Sequence, residues 1–372
     1  MTPLALYVHW PFCVSKCPYC DFNSHVRESV DQEAWRAAML ADLAHEAAAL
    51  PGRKLGSIFF GGGTPSLMPP ETVAAVIDAA EQAWGFEPGV EITLEANPSS
   101  VEAARFADLT AAGVNRVSLG LQALDDAALR FLGRAHDVQE GLGALDTAQK
   151  HFARVSFDLI YARPEQTQAQ WETELTRALS FGTEHLSLYQ LTIEAGTRFA
   201  TLFEKGELAE YDPDTAADLF EATRAITAAA GLPAYEISNH ARPGAESRHN
   251  LTYWRYGDYA GIGPGAHGRR TGMATVRHKK PENWMGAVER NGHGAQTEEL
   301  LPKNDRGVEA LLMGLRLAEG VDLTRIPDAP LDAKALDRVM ALGLIVREGT
   351  RLRVTDAGMP VLEAILREIV LA

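Results

Sequence analysis

The chain has 372 residues, 46% of them hydrophobic and 23% charged, a composition typical of soluble globular proteins. Its 35 lysines and arginines stand against 50 aspartates and glutamates, and this net charge of −15 argues against a nucleic-acid partner. The sequence contains no apolar run of transmembrane length and no recognisable secretory signal. We therefore expect no nucleic-acid partner, no transmembrane segment and a cytoplasmic location.

Short β-rich runs alternate with helical stretches along the first half of the chain. This alternation predicts a parallel sheet with crossover helices. The units number six, fewer than the eight of a closed barrel, so we predict fold class α/β with a partial, open-sided (β/α)6 TIM-like barrel. The predicted strands are Leu4–Trp10, Leu55–Phe60, Val90–Glu95, Arg116–Leu121, Val155–Tyr161 and His185–Leu191. The predicted helices between them are Gln32–Leu50, Glu71–Trp84, Val101–Ala112, Asp126–Leu132, Val138–Phe152 and Gln168–Ser180.

The second half of the chain changes in character. A further helix is predicted over residues 213–230, followed by a stretch rich in aromatic residues, glycine and histidine. After about residue 302, helices surround a hairpin centred on Glu348-Gly-Thr350, which indicates a small C-terminal α+β domain like a winged helix. We expect this domain to be a lid or a partner-docking module. The predicted parts are a barrel (1–235), a connecting region (236–300) and the C-terminal domain (301–372).

All three cysteines, Cys13, Cys17 and Cys20, lie within eight residues of one another, directly after the first predicted strand. Three thiols cannot all pair as disulfides, but at this spacing they can share a metal centre that keeps one coordination position open. One alternative is a structural zinc site completed by His9 or His25. Such sites usually use ligands paired on two separate knuckles, so we favour an iron–sulfur cluster with one open iron.

Polar and glycine residues follow the ends of several predicted strands. The turn Gly61-Gly-Gly-Thr64 follows the second strand, and glycines allow the backbone to approach a ligand closely. Glu95, Gln122 and Asp158 lie at or near the ends of later strands, and Arg134 could bind a carboxylate. Because unpaired polar groups in buried strands are costly, several at one rim indicate a shared ligand.

The Cys-x3-Cys-x2-Cys spacing, with Tyr19 before the last cysteine, resembles the signature of the radical S-adenosylmethionine (SAM) superfamily. Along nearly the whole chain, the order of motifs resembles the family of the heme chaperone HemW and of oxygen-independent coproporphyrinogen III dehydrogenase. The segments that carry this resemblance are Leu6–Cys13, Gly61–Pro65, Gly120–Gln122, Phe157–Tyr161 and Gly263–His267.

This resemblance implies a 4Fe-4S cluster on Cys13, Cys17 and Cys20, with S-adenosyl-L-methionine at the open iron. An electron from the cluster could then cleave the SAM sulfonium, which requires an electron donor. Tyr19 would lie against the adenine and Asp158 near the ribose. The residues implied around SAM are Tyr7, Tyr19, Gly62, Gly63, Thr64, Glu95, Gln122, Arg134 and Asp158.

Three features favour the chaperone over the dehydrogenase. Phe22 occupies the position of a fourth cysteine in the dehydrogenase, and few residues precede Leu4, where the dehydrogenase carries a longer segment. The segment His249-Asn-Leu-Thr-Tyr-Trp254 matches a motif of the chaperone group. The resemblance implies heme binding with His249 as a ligand of the iron. His240 and His267 are weaker candidates for a second ligand.

We therefore expect a heme chaperone that carries a 4Fe-4S cluster and SAM and transfers heme to an acceptor protein. Two alternatives stay open, namely oxidative decarboxylation of coproporphyrinogen III and a zinc-bound interaction module without redox chemistry. The chain departs from the family pattern in the loop Ala162–Thr167, where Arg163 and Glu165 replace a turn that usually contains glycine or leucine.

Overall fold

The computed structural model describes residues 3–27, 29–326 and 329–371. Among these residues, no helix is both long enough and apolar enough to cross a bilayer. The strands are β1 (Leu4–Trp10), β2 (Phe12–Cys13), β3 (His25–Val26), β4 (Leu55–Gly62), β5 (Phe86–Ala96), β6 (Arg116–Gln122), β7 (Arg154–Tyr161), β8 (His185–Gln190), β9 (Asn239–Ala241), β10 (Tyr259–Ile262), β11 (His267–Arg270), β12 (Met273–Arg277), β13 (Ala295–Leu300), β14 (Val321–Asp322), β15 (Ile345–Glu348) and β16 (Arg351–Val354).

The α-helices alternate with the strands in the first half and surround a small sheet at the end of the chain. They are α1 (Gln32–Ala49), α2 (Pro70–Trp84), α3 (Ser100–Ala103), α4 (Phe106–Ala111), α5 (Asp126–Phe131), α6 (Val138–His151), α7 (Gln168–Leu179), α8 (Arg198–Glu204), α9 (Pro213–Ala229), α10 (Arg248–Trp254), α11 (Pro281–Asn291), α12 (Lys303–Gly314), α13 (Ala333–Ala341) and α14 (Leu362–Ile369). Short 3-10 helices cover Pro65–Leu67, Leu323–Arg325 and Met359–Val361.

The main sheet has eleven strands in the order β13-β12-β11-β10-β1-β4-β5-β6-β7-β8-β9. The six strands predicted from the sequence, β1 and β4 to β8, are parallel neighbours in chain order. Parallel neighbours require crossover connections, which α1, α2, α6 and α7 help to provide. The strand order begins at β13 and ends at β9, so the sheet is open. This confirms the predicted partial barrel.

One predicted helix is divided in the structure. The segment predicted as Val101–Ala112 forms the two short helices α3 and α4. The Arg105 guanidinium, at the junction, donates to the carbonyls of Ser66 and Met68. Glu102 accepts hydrogen bonds from Ser66 Oγ and from the Asn97 N–H. These contacts tie the junction to the rim of the barrel, which a helical periodicity does not reveal.

The residues predicted as a connecting region extend the main sheet. Strand β10 pairs in parallel with β1, and β11, β12 and β13 follow as antiparallel neighbours. These strands contain arginines, among them Arg277, which is fully buried against Asp42 and Glu46 at 3.2 and 2.7 Å. Strands are recognised in a sequence by the pattern of their apolar residues. Because these strands contain buried charged residues, the sequence pattern did not indicate them. The division at residues 235 and 300 stays a prediction.

The C-terminal residues have a core of their own. Helices α12, α13 and α14 pack with a three-stranded sheet in the order β14-β16-β15, around buried Leu315, Leu352 and Ile369. The hairpin predicted around Glu348-Gly-Thr350 is present, and in it Ile345 lies opposite Val354. This arrangement is consistent with the small separate α+β domain that was expected.

Candidate functional site

The three cysteines lie on one loop, residues 13–26, which we call the cysteine loop. It leaves the carboxyl end of β1 and is closed at its base by β2 and β3, where Cys13 pairs with Val26. All three cysteines are free and partly exposed. Burial raises the pKa of the Cys13 and Cys20 thiols, so metal binding would have to displace their protons.

The spacing of the sulfur atoms distinguishes between two kinds of metal centre. A single tetrahedral zinc would bring its thiolates about 3.8 Å apart, because Zn–S bonds are about 2.3 Å long. Within the described ranges, the group of ligand atoms found within 4.8 Å of one another is His45, Glu46 and Glu298, and not the cysteines. Thiolates that bind different irons of a cluster lie further apart. The three sulfurs are therefore not arranged as a preformed tetrahedral zinc site.

A chain of hydrogen bonds connects two of the cysteines through the ends of neighbouring strands. Thr64 Oγ1 donates to Cys13 Sγ at 3.4 Å, and Asn97 Nδ2 donates to Thr64 Oγ1 at 3.2 Å. Arg134 donates to Asn97 Oδ1 at 2.5 Å and to Cys17 Sγ at 3.4 Å. Donors to cluster sulfurs are one means by which proteins adjust a cluster's potential. The sequence analysis did not select Asn97, although its position after β5 was a usable signal.

Arg134 also fits a role in anion binding. Its Nη2 donates to the Gly120 carbonyl at 3.0 Å, and its Nε is buried without a hydrogen-bond partner among the described residues. A Cβ on Gly120 would lie 2.8 Å from Gln122 Nε2 and 3.4 Å from Arg134 Nη2. Gly120 therefore leaves room beside the backbone for the side chains of Gln122 and Arg134. Gln122 itself has a left-handed backbone, with φ of 67°.

The glycine turn after β4 lies against the cysteine loop. A Cβ on Gly63 would lie 2.7 Å from the Phe12 carbonyl oxygen and 3.0 Å from Cys13 Sγ. Gly62 has φ of 113°, and its Cβ would lie 2.7 Å from the His9 ring. Glycine is therefore required at both positions so that the cysteine loop can pack closely against this turn. The same property would also allow a ligand to approach the backbone.

Two carboxyl groups lie inside the barrel rim. Glu95 Oε2 accepts from the Gly62 N–H at 3.3 Å, and Asp158 Oδ1 accepts from Ser118 Oγ at 3.3 Å. Burial, together with the charge of Asp158, raises the pKa of Glu95 to about 8. Burial also raises the pKa of Asp158 to about 6, against the hydrogen bonds from Ser187 and Ser118. Such a pair suits a ligand that brings an ammonium group or hydroxyls.

The two tyrosines predicted at the SAM site lie on different elements, Tyr7 in β1 and Tyr19 on the cysteine loop. The Tyr7 hydroxyl lies 2.9 Å from His9 Nδ1. Tyr19 packs against Phe199, with ring centroids 6.4 Å apart, and its hydroxyl hydrogen-bonds Arg134. The predicted SAM residues thus come from β1, β4, β5, β6 and β7, from the turn after β4, from the cysteine loop and, for Arg134, from the segment after α5. Their role stays a prediction.

A pocket of about 670 Å³ opens beside the cysteine loop. This volume is within the range of small-molecule and cofactor sites. On one side it reaches the barrel residues Tyr7, Gly62 and Glu95. On the other it reaches Tyr253, the strands β10 and β11, and Met313 of α12. The pocket therefore connects the predicted SAM residues with the C-terminal half of the chain.

His249, predicted as a heme ligand, lies in the interior with only 1% of its surface exposed. Its Nδ1 is 3.1 Å from Ser57 Oγ, and its Nε2 is 2.5 Å from the Tyr253 hydroxyl. The ring stacks on Phe59 at 4.9 Å, and burial lowers its pKa to about 3. The imidazole is neutral, but both nitrogens are engaged within the protein. Iron ligation by His249 stays a prediction and would require one of these contacts to open.

Asn23 connects the cysteine loop to the second half of the sheet, which the sequence did not indicate. Its Nδ2 donates to the carbonyls of Pro264 and Lys279, each at 2.9 Å. Its own carbonyl lies 2.9 Å from His9 Nε2, and burial lowers the pKa of His9 to about 4. A Cβ on Gly265 would lie 2.4 Å from Asn23 Nδ2, so this contact depends on glycine.

Two family profiles match the chain. The radical SAM superfamily matches residues 7–177, and the HemN C-terminal domain matches residues 301–361. Among solved structures, coproporphyrinogen III oxidase (HemN) from Escherichia coli, a radical SAM enzyme, superposes with a TM-score of 0.81. It is 23% identical, and the alignment covers 98% of this chain and 89% of that one. This likeness bears on the fold alone.

Curated relatives match over most of their length. The mitochondrial radical S-adenosyl methionine domain-containing protein 1 of Bos taurus is 41% identical, over 97% of this chain and 86% of the relative. The heme chaperone HemW of Haemophilus influenzae is 39% identical, over 88% of this chain and 86% of the relative. The HemW of Escherichia coli is 38% identical, over 86% and 84%. The chain therefore belongs to the radical SAM superfamily, within the family of the heme chaperone HemW.

Proposed function

We propose that this protein is a heme chaperone, which binds heme and transfers it to an acceptor protein while carrying a 4Fe-4S cluster and SAM. The observation that carries this proposal is the similarity to proteins named heme chaperone HemW over more than four fifths of both chains. Phe22, in place of the fourth cysteine of the dehydrogenase pattern, supports the same choice.

The residues of the site fit both cofactors. Cys13, Cys17 and Cys20 would hold three irons of the cluster, and SAM, at the fourth, would bring a redox-cleavable sulfonium. The Arg134 guanidinium, whose Nε has no hydrogen-bond partner among the described residues, is suited to the SAM carboxylate. Glu95 is suited to the SAM amino group and Asp158 to the ribose hydroxyls.

The chain's own residues do three things in this scheme. The hydrogen bonds from Thr64 and Arg134 stabilise negative charge on two cysteine sulfurs. Asn97, held between these two side chains, fixes their orientation. Asn23 holds the cysteine loop against the strands that line the pocket, so the cluster site and the pocket keep a constant relation.

The test of heme binding uses the full chain after anaerobic cluster reconstitution. Hemin is titrated into the protein, and the loaded protein is then mixed with an apo-globin as a surrogate acceptor. We expect a saturable Soret change with stoichiometric binding, and transfer to the apo-globin faster than release of free hemin to buffer. Absence of saturable hemin binding would contradict the proposal.

A parallel assay addresses the dehydrogenase alternative. Coproporphyrinogen III is incubated anaerobically with the reconstituted protein, SAM and a reductant, which serves as electron donor. We expect no protoporphyrinogen IX. Turnover to this product would make the protein an enzyme of porphyrin synthesis. Iron and sulfide analysis of the same preparation addresses the zinc alternative, since stoichiometric zinc without sulfide would contradict a cluster.

The acceptor protein and the physiological electron donor are part of the proposal. A cytoplasmic location also stays a prediction, and the Bos taurus relative carries a mitochondrial name. Subcellular fractionation with an antibody against the protein would decide the location. Crosslinking of the heme-loaded protein in cell extract, compared with the heme-free protein, would identify an acceptor by its dependence on heme.

A further inference from the structure

We infer that heme binds in the pocket beside the cysteine loop, with its iron on His267 and its propionates on Lys16 and Lys279. This inference rests on the proposed function and adds the position of the ligand and the residues that hold it. It differs from the sequence-based expectation, which placed the iron on His249.

The imidazoles of the pocket differ in their availability. His9 and His25 both line it, but each is already engaged. The His9 nitrogens lie 2.9 Å from the Tyr7 hydroxyl and 2.9 Å from the Asn23 carbonyl. His25 Nε2 lies 3.2 Å from Asn23 Oδ1, and its ring also hydrogen-bonds the Lys279 backbone. His267 is exposed and, within the described part of the chain, its ring has no hydrogen-bond partner. It is therefore the imidazole free to bind a metal.

Two lysines at the pocket give it the charge that an anionic ligand needs. Lys16 lies on the cysteine loop and Lys279 follows β12, and both are exposed pocket residues. Neither forms an ion pair with another described residue, although the chain carries a net charge of −15. Asp21 also lines the pocket, so the positive charges of the two lysines are partly balanced there. The heme propionates, two carboxylates on one edge of the ring, match two separate ammonium groups.

The elements hold these groups in one place. His267 begins β11 and lies opposite Val276 of β12, which puts Lys279 close enough for its charge to act on the His267 ring. Asn23 donates to the Lys279 carbonyl and so fixes this corner against the cysteine loop that carries Lys16. The iron ligand and both cations therefore come from segments that hydrogen bonds connect.

The walls of the pocket suit a flat aromatic macrocycle. Phe22, on the cysteine loop, lines the pocket and is 57% exposed, so its phenyl ring is accessible to a ligand there. Tyr253 and Tyr259 form an edge-to-face pair with centroids 4.4 Å apart on the other side. Aromatic side chains are favourable partners for a porphyrin face. The lining continues to Tyr7 and Glu95, so the heme would lie beside SAM.

The test compares hemin binding by reconstituted, SAM-saturated wild type and by His267→Ala, Lys16→Ala and Lys279→Ala. The matched controls are His151→Ala, an exposed histidine on α6, and Lys280→Ala, the exposed neighbour of Lys279 outside the pocket. We expect His267→Ala to lose the histidine-ligated Soret and electron paramagnetic resonance signature and to weaken binding at least about tenfold. Added imidazole should restore the signature. Iron and sulfide analysis checks that each variant keeps its cluster, and circular dichroism checks that it keeps its fold.

The lysines are tested with a second ligand. We expect each lysine variant to weaken hemin binding by about fivefold to tenfold, the effect of one charge-assisted contact. Hemin dimethyl ester, whose carboxylates are neutral, should bind wild type and lysine variants equally. The Lys280→Ala and His151→Ala controls should match wild type with both ligands.

The outcomes separate this inference from the proposed function. If wild type binds hemin but His267→Ala and the lysine variants match it, the protein binds heme elsewhere and the inference is wrong. Loss of the ligand signature in His249→Ala alone, with retained fold, would assign the iron to His249 and would also overturn it. If wild type itself does not bind hemin, the proposed function fails.

Discussion

At the scale of single residues, the sequence selected most of the polar groups around the cysteine loop, but it did not reveal how they are connected. Thr64 and Arg134 were predicted as neighbours of SAM, and the structure shows each donating to a cysteine sulfur. Asn97, which bridges them, follows a strand end as clearly as Glu95 does. It was missed because an asparagine in an Asn-Pro turn also has a purely local explanation.

The buried carboxyl of Glu95 predicts an unusual pH dependence of stability. Its pKa is raised from 4.5 to about 8, so the native chain keeps a proton that the unfolded chain releases. This contribution is fully present below pH 4.5 and is lost as the pH rises through about 8. We expect Glu95→Gln not to show this loss of stability. Between pH 4.5 and about 8, the free energy of unfolding of wild type should therefore fall relative to that of the variant, by on the order of a few kcal/mol.

Urea unfolding at several pH values, on the chain before cluster reconstitution, measures this difference. The control is Glu299→Gln, an exposed glutamate on β13, whose stability should follow that of wild type at every pH. Parallel stability curves for wild type and Glu95→Gln would show that the carboxyl is solvated in the native state.

At the scale of elements, turns and short strands determine the site. The predicted barrel strands were found because buried parallel strands are continuously apolar, as in β4, where Ile58 and Phe60 are fully buried. Strands β2 and β3, which close the cysteine loop, have two residues each and are too short to leave a pattern. The glycine turn after β4 was identified from its consecutive glycines, but its contact with the cysteine loop is visible only in the tertiary structure.

This contact predicts the effect of a single methyl group. In Gly63→Ala the new Cβ would meet the Phe12 carbonyl at 2.7 Å, so the turn or the cysteine loop must move. We expect at least about tenfold weaker SAM binding and a lower iron content after reconstitution, because a shift of even 1 Å disrupts a positioned site. Equilibrium dialysis of SAM and iron analysis measure both effects.

Gly143→Ala is the matched control for this substitution. Gly143 lies inside α6, and a Cβ there would meet no atom of the described residues within 4 Å. It should bind SAM like wild type and gain about 0.5–1 kcal/mol of helix stability. SAM affinity of Gly63→Ala equal to that of the control would show that the cysteine loop adapts without cost.

At the scale of the whole molecule, the two largest hydrophobic cores among the described residues belong to different parts of the chain. The larger core fills the barrel, and the smaller one surrounds Leu315, Leu352 and Ile369 in the C-terminal domain. Helix α12 belongs to the C-terminal region, yet its Met313 lines the pocket beside the cysteine loop. The two parts of the chain therefore share a ligand pocket, although each has its own core.

The separate core predicts local rather than global destabilisation. Leu352 is fully buried in β16, and Leu352→Ala should cost about 2–5 kcal/mol. We expect hydrogen exchange to accelerate in α12 to α14 and β14 to β16, while β1 and β4 to β8 stay protected. Leu342→Ala, with the leucine 72% exposed, should change stability by less than about 0.5 kcal/mol. Uniformly faster exchange throughout the molecule would mean that both cores unfold as one unit.

The sequence by itself determined the family and the partial barrel, and it selected the three cysteines of the candidate cluster site. These features depend on local patterns, namely residue spacing and the periodicity of apolar residues. Such patterns can be recognised without knowing which distant residues are in contact. Only the tertiary structure decided that His249 is enclosed by Ser57 and Tyr253 while His267 faces the pocket. The physical reason is that the availability of an imidazole depends on its hydrogen-bond partners, and those of His249 include a residue 192 positions away in the chain.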